Sequence, residues 1–138
     1  VLTIDETVML AGLVRALVCT GYEQELAHEP LPSARHEMLR IAHWFAARYG
    51  LSDKLIDVEI QRAVPAAELI ERFLRFLRPA LEAHNDWSEI SSLVQLQVLR
   101  GNGAQRQREL YRRSGKLEDV VDGVVLETRQ GTMTSKAS

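Results

Sequence analysis

Hydrophobic residues recur every three or four positions over most of the chain, which is the spacing that places them on one face of an α-helix. The first such segment follows Thr3 and Glu6, whose T-x-x-E spacing matches a capping box, and it predicts a helix over about residues 4–25. Arg15 is its only charged residue over positions 8–22. Because this helix is apolar on nearly all sides, we expect it to lie centrally in the fold.

A second helix is predicted to begin after Ser33, which can act as its N-cap, and to end at Tyr49. Gly50 follows where helices often stop in a left-handed conformation, which predicts a Schellman-type end. Residues 53–64 then alternate apolar and polar side chains and include β-branched residues, so we expect short extended segments there. Pro65 fits the first position of a third helix.

The third helix is predicted to have one apolar face and one charged face. On the charged face, Glu68–Arg72 and Glu71–Arg75 have the i,i+4 spacing of favourable ion pairs, each worth about 0.2–0.5 kcal/mol. Pro79 should kink this helix or mark its last turn, because proline lacks the amide hydrogen that a helix interior requires.

Three further helices complete the pattern. Ser88 can cap the fourth, and its predicted buried set is Ile90, Leu93, Val94, Leu96, Val98 and Leu99. The fifth, over about residues 104–113, is short and basic. The sixth, over about residues 117–128, is rich in valine, so a strand is an alternative there. Residues 129–138 are mostly small and polar, and we expect them to be disordered.

The predicted fold class is therefore mainly α: five to six helices in an irregular bundle, with a short extended excursion near residues 54–64. A chain of 138 residues can form one core, and we expect a single helical domain over residues 1–128. No run approaches the roughly 18 apolar residues that cross a bilayer. Cys19 is the only cysteine, and its apolar neighbours favour a buried side chain over a reactive thiol. Together these features predict a cytoplasmic protein without membrane contact.

Few residues qualify as chemical groups of an active site. The net charge of −2 argues against a general binder of nucleic acid, because no positive field would attract phosphates. None of the four histidines has a metal-ligand spacing with another, and the sequence contains no P-loop, G-x-S-x-G or G-x-G-x-x-G motif. We therefore predict no catalytic residue and no metal ligand in this chain.

Two arginines are the candidates for contact with substrate or phosphate. Arg48 lies in the last turn of the second helix, where it either complements the helix dipole or reaches a carboxylate or phosphate. Arg106 belongs to a basic run between Arg100 and Lys116 that contains a single acid, Glu109. That run could face phosphate groups, but the simpler interpretation is a solvated helix or one whose arginines pair with acids elsewhere.

Three separated segments resemble a known family. A W-x-A-x-R-y-G-L core is matched by Trp44, Ala46, Arg48, Tyr49, Gly50 and Leu51, and an R-G-x-G-A-x-R-Q-R turn by Arg100, Gly101, Gly103, Ala104, Arg106, Gln107 and Arg108. Residues 2–18 resemble a helix that follows the last catalytic strand. The segments have the order found in the carboxy-terminal region of the type 2 glutamate–cysteine ligases, which are carboxylate–amine ligases related to glutamine synthetase. The resemblance covers residues 2–128.

The resemblance implies a parent enzyme of α+β class, in which an antiparallel catalytic sheet holds ATP and Mg²⁺. Such enzymes phosphorylate a carboxylate and let an amine displace the phosphate. The family's acidic metal ligands lie before the position that matches Val1, so we expect neither catalysis nor a bound cofactor in this chain alone. The family's usual D-P-x-T-G hairpin is also replaced here by residues 57–61, which predicts an altered turn.

Two functions remain open from the sequence. In the first, the chain is the helical carboxy-terminal portion of an ATP-dependent ligase, and its partners are the upstream catalytic sheet, in the same protein or a separate chain, and further copies in a homo-oligomer. In the second, it is a free-standing helical bundle with a protein-interaction role and no catalysis. The chain starts without a methionine, which favours the first.

Overall fold

Six helices and one two-stranded hairpin form the part of the chain that the computed structural model describes, residues 3–30 and 33–133, with residues 130–133 described as backbone only. The helices are α1 (Ile4–Leu26), α2 (His36–Tyr49), α3 (Ala66–Ala83), α4 (Trp87–Arg100), α5 (Gly103–Ser114) and α6 (Leu117–Met133). The strands are β1 (Lys54–Asp57) and β2 (Arg62–Pro65). The predicted mainly α fold and its extended excursion are thus confirmed.

Helix α1 begins with the predicted capping box. The Thr3 hydroxyl accepts the amide hydrogen of Glu6 at 3.2 Å, and the Glu6 carboxylate accepts that of Thr3 at 2.8 Å. These bonds satisfy two amides that have no partner inside the helix. The helix ends one residue beyond the predicted boundary, at Leu26.

The core is formed by α1, α3 and α4. Its buried apolar residues are Met9 and Ala16 of α1, Leu74, Leu77, Ala80 and Leu81 of α3, and Ile90 and Val94 of α4. A Cβ at Gly12 would overlap the Ile90 side chain, so glycine permits the close approach of α1 to α4. Of the predicted buried set of α4, Ile90 and Val94 are buried and Leu93, Leu96 and Val98 are half-buried, whereas Leu99 is wrong because it is 83% exposed.

Only one side of α1 is enclosed. Its buried positions are Glu6, Met9, Gly12 and Ala16. Val14, Val18 and Tyr22 on the other side are 59%, 65% and 65% exposed. The helix expected to lie centrally does contribute to the core, but within the described structure only its side toward α3 and α4 is enclosed.

Strands β1 and β2 pair antiparallel, with Leu55 opposite Val64 and Asp57 opposite Arg62. Asp57 is 2% exposed, and its carboxylate accepts the amide hydrogens of Glu59 at 2.9 Å and Ile60 at 3.3 Å. An aspartate that binds the next amides stabilises a tight turn. The segment that departs from the family's usual hairpin sequence therefore still forms a hairpin.

The ion pairs of α3 differ in part from the prediction. Glu71 and Arg75 form their i,i+4 pair at 3.2 Å, as predicted. Arg72, however, pairs with Asp57 of the hairpin instead of with Glu68. The buried carboxylate is the stronger partner because it is less screened by water than an exposed one. The ion pair between Arg72 and Asp57 therefore links the hairpin to α3.

Several predicted helix boundaries shift by one to three residues. The N-cap of α2 is Arg35 instead of Ser33, and the N-cap of α4 is Asp86 instead of Ser88. Neither N-cap makes a side-chain capping bond. Pro65 closes β2 and precedes α3 by one residue. A capping side chain contributes about 1 kcal/mol, so tertiary packing readily moves a helix start.

Proline does not end α3. The helix continues through Pro79 to Ala83. Pro79 lies within the last five residues of the helix, so only one backbone hydrogen bond, to the carbonyl of Arg75, is lost near the end. Ala80 and Leu81, which follow it, are buried in the core, and that burial favours continuation of the helix.

Helices α5 and α6 form a hairpin. Asn102 and Gln105 make a second capping box at the start of α5, with bonds of 2.9 and 2.7 Å, and Gly115 ends it with a left-handed conformation. Residues Leu117–Met133 form helix α6, so the alternative of a strand in this segment is wrong. The helix ends five residues beyond the predicted end, because each residue added to a formed helix gains a hydrogen bond. Residues 134–138 of the predicted disordered tail lie outside the described residues.

None of the helices in the described ranges combines the length and the apolar character that a membrane span requires.

Substituting Asp57 tests the link between the hairpin and α3. Burial raises the pKa of Asp57, but the hydrogen bonds from Arg72, Ile60 and Glu59 lower it more, so the net pKa lies below the usual value of an aspartate. We expect Asp57→Asn to lower the free energy of unfolding by about 2 kcal/mol at neutral pH, because Arg72 loses its charged partner. Chemical denaturation of the 138-residue chain measures this change.

The same pair has a predictable pH dependence. Because the folded pKa of Asp57 is depressed, its contribution to stability is present above the unfolded pKa of about 3.9 and is lost as the pH falls through the folded pKa. The difference between the native chain and Asp57→Asn should therefore shrink in acid. Asp53→Asn, at an exposed position next to β1, is the control and should leave stability unchanged. A difference that is constant between pH 7 and pH 2 would contradict the ion-pair account.

Candidate functional site

The end of α2 and the turn between α4 and α5 lie against each other. Gly50 ends α2 with a φ of 60°, and its amide donates a hydrogen bond to the carbonyl of Ala46 at 2.9 Å. A Cβ on Gly50 would lie 2.8 Å from Asn102 Nδ2, so both the backbone conformation and the close approach require glycine. The ψ of −137° takes Gly50 out of the left-handed helical region, so the predicted Schellman geometry is wrong although the positive φ is confirmed.

A basic cleft of about 770 Å³ opens beside these two turns. Its walls come from Leu51 and Ser52 after α2, from the end of α4, and from one side of α5. Five arginines and two glutamates line it: Arg100, Arg106, Arg108, Arg112, Arg113, Glu109 and Glu127. The basic run of the sequence therefore surrounds a concave surface of positive formal charge.

Most of these arginines are paired with acids. Arg112 and Arg113 both contact Glu109, at 2.6 and 3.0 Å. Arg100 and Arg108 are exposed and make no hydrogen bond or ion pair with any residue that the structure describes. The solvated interpretation thus describes Arg100 and Arg108, whereas pairing with acids elsewhere in the chain describes Arg106.

Arg106 is the most highly connected side chain in this region. Its Nε donates to Glu127 at 2.9 Å, and its Nη1 donates to Glu6 at 3.1 Å and to the carbonyl of Gly101 at 2.9 Å. Nη2 is buried and has no hydrogen-bond partner in the described structure. Arg106 therefore joins α1, α5, α6 and the turn before α5.

The opposite charges in this cluster shift the pKa values of Glu6 and Arg106 in favour of their ionised forms. Burial raises the pKa of Glu6, but the amide of Thr3 and the guanidinium of Arg106 lower it more, so the net pKa lies below the ordinary range. Burial lowers the pKa of Arg106, and Glu6 and Glu127 outweigh that effect and raise it. Glu6 and Arg106 are consequently ionised at neutral pH.

Arg48 lies apart from this cluster. It is exposed in the last turn of α2 and makes no hydrogen bond or ion pair among the described residues. Trp44, Phe45 and Tyr49 form a group of aromatic rings on the same helix, with centroids 5.4 to 6.1 Å apart. Arg48 is not part of the cleft lining, so the structure does not bring the two candidate arginines into one pocket.

A second cavity, of about 460 Å³, lies on the other side of Arg106. Its lining includes the start of α1, Leu93, Leu96 and Gln97 of α4, and Arg100, which also lines the basic cleft. No local sequence pattern marks Glu6 or Gln97 as part of this region. Glu6 was explained by the capping box alone, and its second bond, to a residue 100 positions away, has no local signal.

The described residues do not fit the magnesium that the resemblance implies for the parent enzyme. No three His, Cys, Asp or Glu side chains in the described ranges lie close enough together to hold a metal ion. Cys19 and His84 approach each other, with Sγ 3.5 Å from Nε2, but they are two groups only. The Cys19 side chain is half-buried against the core, so its predicted burial is partial.

The comparison with protein families agrees with the three sequence segments. The profile of glutamate-cysteine ligase family 2 matches residues 1–124. The chain belongs to this family. The match includes the capping box of α1, the α2–Gly50 turn and the Arg100–Arg108 turn, so each segment that carried the resemblance lies inside it.

The names of curated relatives agree with membership of this family. A protein of Frankia alni provisionally named glutamate–cysteine ligase 2-2 is 46% identical over 127 residues, which are 92% of this chain and 33% of that protein. A Frankia casuarinae protein of the same provisional name is 43% identical over 126 residues, or 91% of this chain and 15% of that protein. A Rhodopirellula baltica protein provisionally named glutamate–cysteine ligase 2 is 36% identical over 125 residues, or 91% and 32%.

The chain thus spans about a third or less of the length of these relatives. No solved structure matches it significantly.

Substituting Gly50 tests the contact between the two turns. We expect Gly50→Ala to lower the free energy of unfolding by about 1–3 kcal/mol, because alanine disfavours a φ of 60° and its Cβ would displace Asn102 from its capping position. Thermal and chemical denaturation measure the change. Gly21→Ala in α1 is the matched control: its Cβ meets nothing, so the same substitution should stabilise the helix by up to about 1 kcal/mol. Equal effects at both glycines would contradict this account.

Proposed function

We propose that this chain is the helical carboxy-terminal portion of an ATP-dependent carboxylate–amine ligase of the glutamate–cysteine type. In this proposal it packs on a catalytic sheet supplied by the remainder of the protein. Membership of glutamate-cysteine ligase family 2 supports the reaction class. The span of about a third of the Frankia alni relative supports a role as one portion of a larger enzyme.

The observation that carries the packing role is the outer side of α1. Large apolar side chains are exposed along it at helical spacing: Leu10, Val14, Leu17, Val18 and Tyr22. A continuous apolar strip of this kind on a folded protein marks a surface that another protein element covers. The opposite side of the same helix already packs in the core, so α1 would lie between the helical domain and the sheet.

The reaction class suggests what the cations of this chain would do. When a carboxylate is activated by phosphorylation, negative charge accumulates on the phosphoryl group, and metal ions and arginines neutralise it. ATP and Mg²⁺ would be held by the catalytic sheet of the parent enzyme. Arg48 is exposed and has no partner in the described structure, so it is free to contact substrate or phosphate at the face of α2. Arg106 lines a different part of the surface and is a separate candidate for contact with substrate or phosphate.

Self-association of the parent enzyme is part of the proposal. Helix α6 exposes a second apolar group, Leu117, Val121, Val125 and Leu126. Covering α1 with the sheet would leave this second surface available to another copy of the protein. The alternative function, a free-standing bundle that binds other proteins, would use the same apolar strip of α1 without any ligase chemistry.

An interface substitution separates the two functions. We expect Val18→Glu to leave the unfolding of the 138-residue chain unchanged, because this side chain is 65% exposed. In the full-length protein it should lower ADP release in the presence of ATP, glutamate and cysteine by at least about tenfold, because it would bury a charge against the sheet. Gln95→Glu introduces the same charge at an exposed position of α4 and serves as the control.

Two results would count against the proposal. Full-length protein that releases no ADP with any amino acid pair would contradict the ligase reaction. Unchanged ADP release by Val18→Glu would contradict the packing of the sheet on α1 and favour the free-standing bundle.

Arg48 can be tested separately from the fold. We expect Arg48→Gln to lower the free energy of unfolding by no more than about 1 kcal/mol, the helix-dipole contribution, and to lower kcat/KM of the full-length ligase by about tenfold or more, the effect of losing one charge-assisted hydrogen bond. Arg40→Gln, two turns earlier on α2 at another exposed position, is the matched control. If both variants retain full kcat/KM, Arg48 only complements the helix dipole.

A further inference from the structure

We propose that the basic cleft beside α5 binds a short polyphosphate chain in its metal-free form. The cleft volume of about 770 Å³ lies in the range of small-molecule sites in proteins. This inference deepens the phosphate contact proposed for the cleft and to that extent rests on the proposed function. Binding to the 138-residue chain and ADP release by the full-length protein are separate measurements, so the two proposals can fail independently.

Cationic groups outnumber acidic groups in the cleft. Five arginines and two glutamates line it, and the arginines still outnumber the glutamates by two when Glu6, which contacts Arg106 from the neighbouring cavity, is included. Arg100 and Arg108 are exposed and make no ion pair among the described residues. Guanidinium groups of this kind bind phosphate oxygens through charge-assisted hydrogen bonds. The cleft therefore favours a ligand with two or more negative charges.

The available guanidinium groups are spread over two helices. Arg108 and Arg112 are one turn apart on α5, about 6 Å along the helix axis, and Arg100 lies at the end of α4. Arg112 and Arg113 share the single carboxylate of Glu109, which balances only one of their two charges. A chain of linked phosphate groups can contact several of these separated cations at once, whereas a single phosphate or sulfate cannot.

The surroundings of the cleft limit the length of the ligand. The net charge of the whole chain is −2, so the positive charge is local to the cleft. The first turn of α6, which follows α5 directly, carries Glu118 and Asp119. A long anionic polymer would extend over such negative residues and be repelled by them, while a short chain fits within the cleft. We therefore infer a small polyphosphate, free or attached to a nucleoside.

The cleft is poorly suited to a magnesium complex of that ligand. Its two carboxylates, Glu109 and Glu127, already contact arginines, and no three metal-binding side chains lie together in the described ranges. Mg²⁺ on a polyphosphate neutralises part of its charge and occupies oxygens that the guanidinium groups would bind. The cleft should consequently prefer the metal-free chain. In this respect it differs from the site for ATP and Mg²⁺ that the resemblance implies for the catalytic sheet.

Isothermal titration calorimetry of the 138-residue chain with tripolyphosphate tests the proposal. At constant ionic strength, we expect saturable binding that is at least about tenfold tighter than the binding of inorganic phosphate or sulfate, because several guanidinium groups act together. Excess Mg²⁺ should weaken the binding of tripolyphosphate by about fivefold or more, since it removes part of the attraction. ATP without metal should bind and adenosine should not, because the phosphate chain carries the recognition.

Two substitutions localise the binding to the cleft. Arg108→Gln removes an exposed, unpaired cation, so the variant should fold normally, and circular dichroism checks that it does. We expect it to weaken tripolyphosphate binding by about fivefold or more, the effect of losing charge-assisted hydrogen bonds. Arg40→Gln makes the same change of charge at an exposed position of α2 outside the cleft lining, and it should bind as tightly as the native chain. Arg100→Gln repeats the test from α4.

Four outcomes would overturn the proposal. The first is the absence of saturable binding, or equal binding of tripolyphosphate and sulfate. The second is an equal loss of affinity in Arg108→Gln and Arg40→Gln, which would indicate general attraction to the surface. The third is tripolyphosphate binding that Mg²⁺ leaves unchanged or strengthens. The fourth is tighter binding of a single-stranded oligonucleotide than of tripolyphosphate, which would assign the cleft to nucleic acid.

Discussion

The ion-pair cluster of Glu6, Arg106 and Glu127 is the interaction on which the arrangement of the helices depends. Helices α5 and α6 pack mainly on each other, while α1, α3 and α4 form the core. Arg106 joins these two parts by hydrogen bonds to the first turn of α1, to α6 and to the carbonyl of Gly101. Because Glu6 is buried, the loss of Arg106 would leave its carboxylate uncompensated in a region of low dielectric constant. Arg106 is therefore the member on which the cluster depends.

The two sides of α1 differ in burial. Small residues, Gly12 and Ala16, let α3 and α4 approach on one side, while the other side presents exposed apolar side chains. The chain belongs to glutamate-cysteine ligase family 2 and spans only part of its relatives, and the proposed function assigns the exposed apolar side to contact with the rest of the enzyme. A helix with two apolar sides is suited to lie between two packed layers, and in the proposed function this chain supplies one of them.

Much of the fold could be predicted from the sequence, because helical periodicity, the Thr3–Glu6 capping box and the hairpin alternation are local signals. The predicted N-caps Ser33 and Ser88 were wrong, since a capping preference is weaker than the packing that moves a boundary. The candidate site was harder to predict. Arg106 was selected from a family motif, but its partners Glu6 and Glu127 lie 100 and 21 positions away. Arg72 likewise prefers the buried Asp57 to the predicted local partner.

By itself, the sequence determined the helices, the glycine stop at Gly50 and the family, because each depends on residues that are neighbours along the chain or on a motif read in order. Only the tertiary structure decided which charges meet, which side of α1 is enclosed and which arginines are free. It placed Arg100 at a cavity and left Arg48 on the surface, although both lie in segments with a similar family signal. The physical reason is that burial and long-range pairing depend on how the elements pack, and side-chain spacing along one element does not encode that packing.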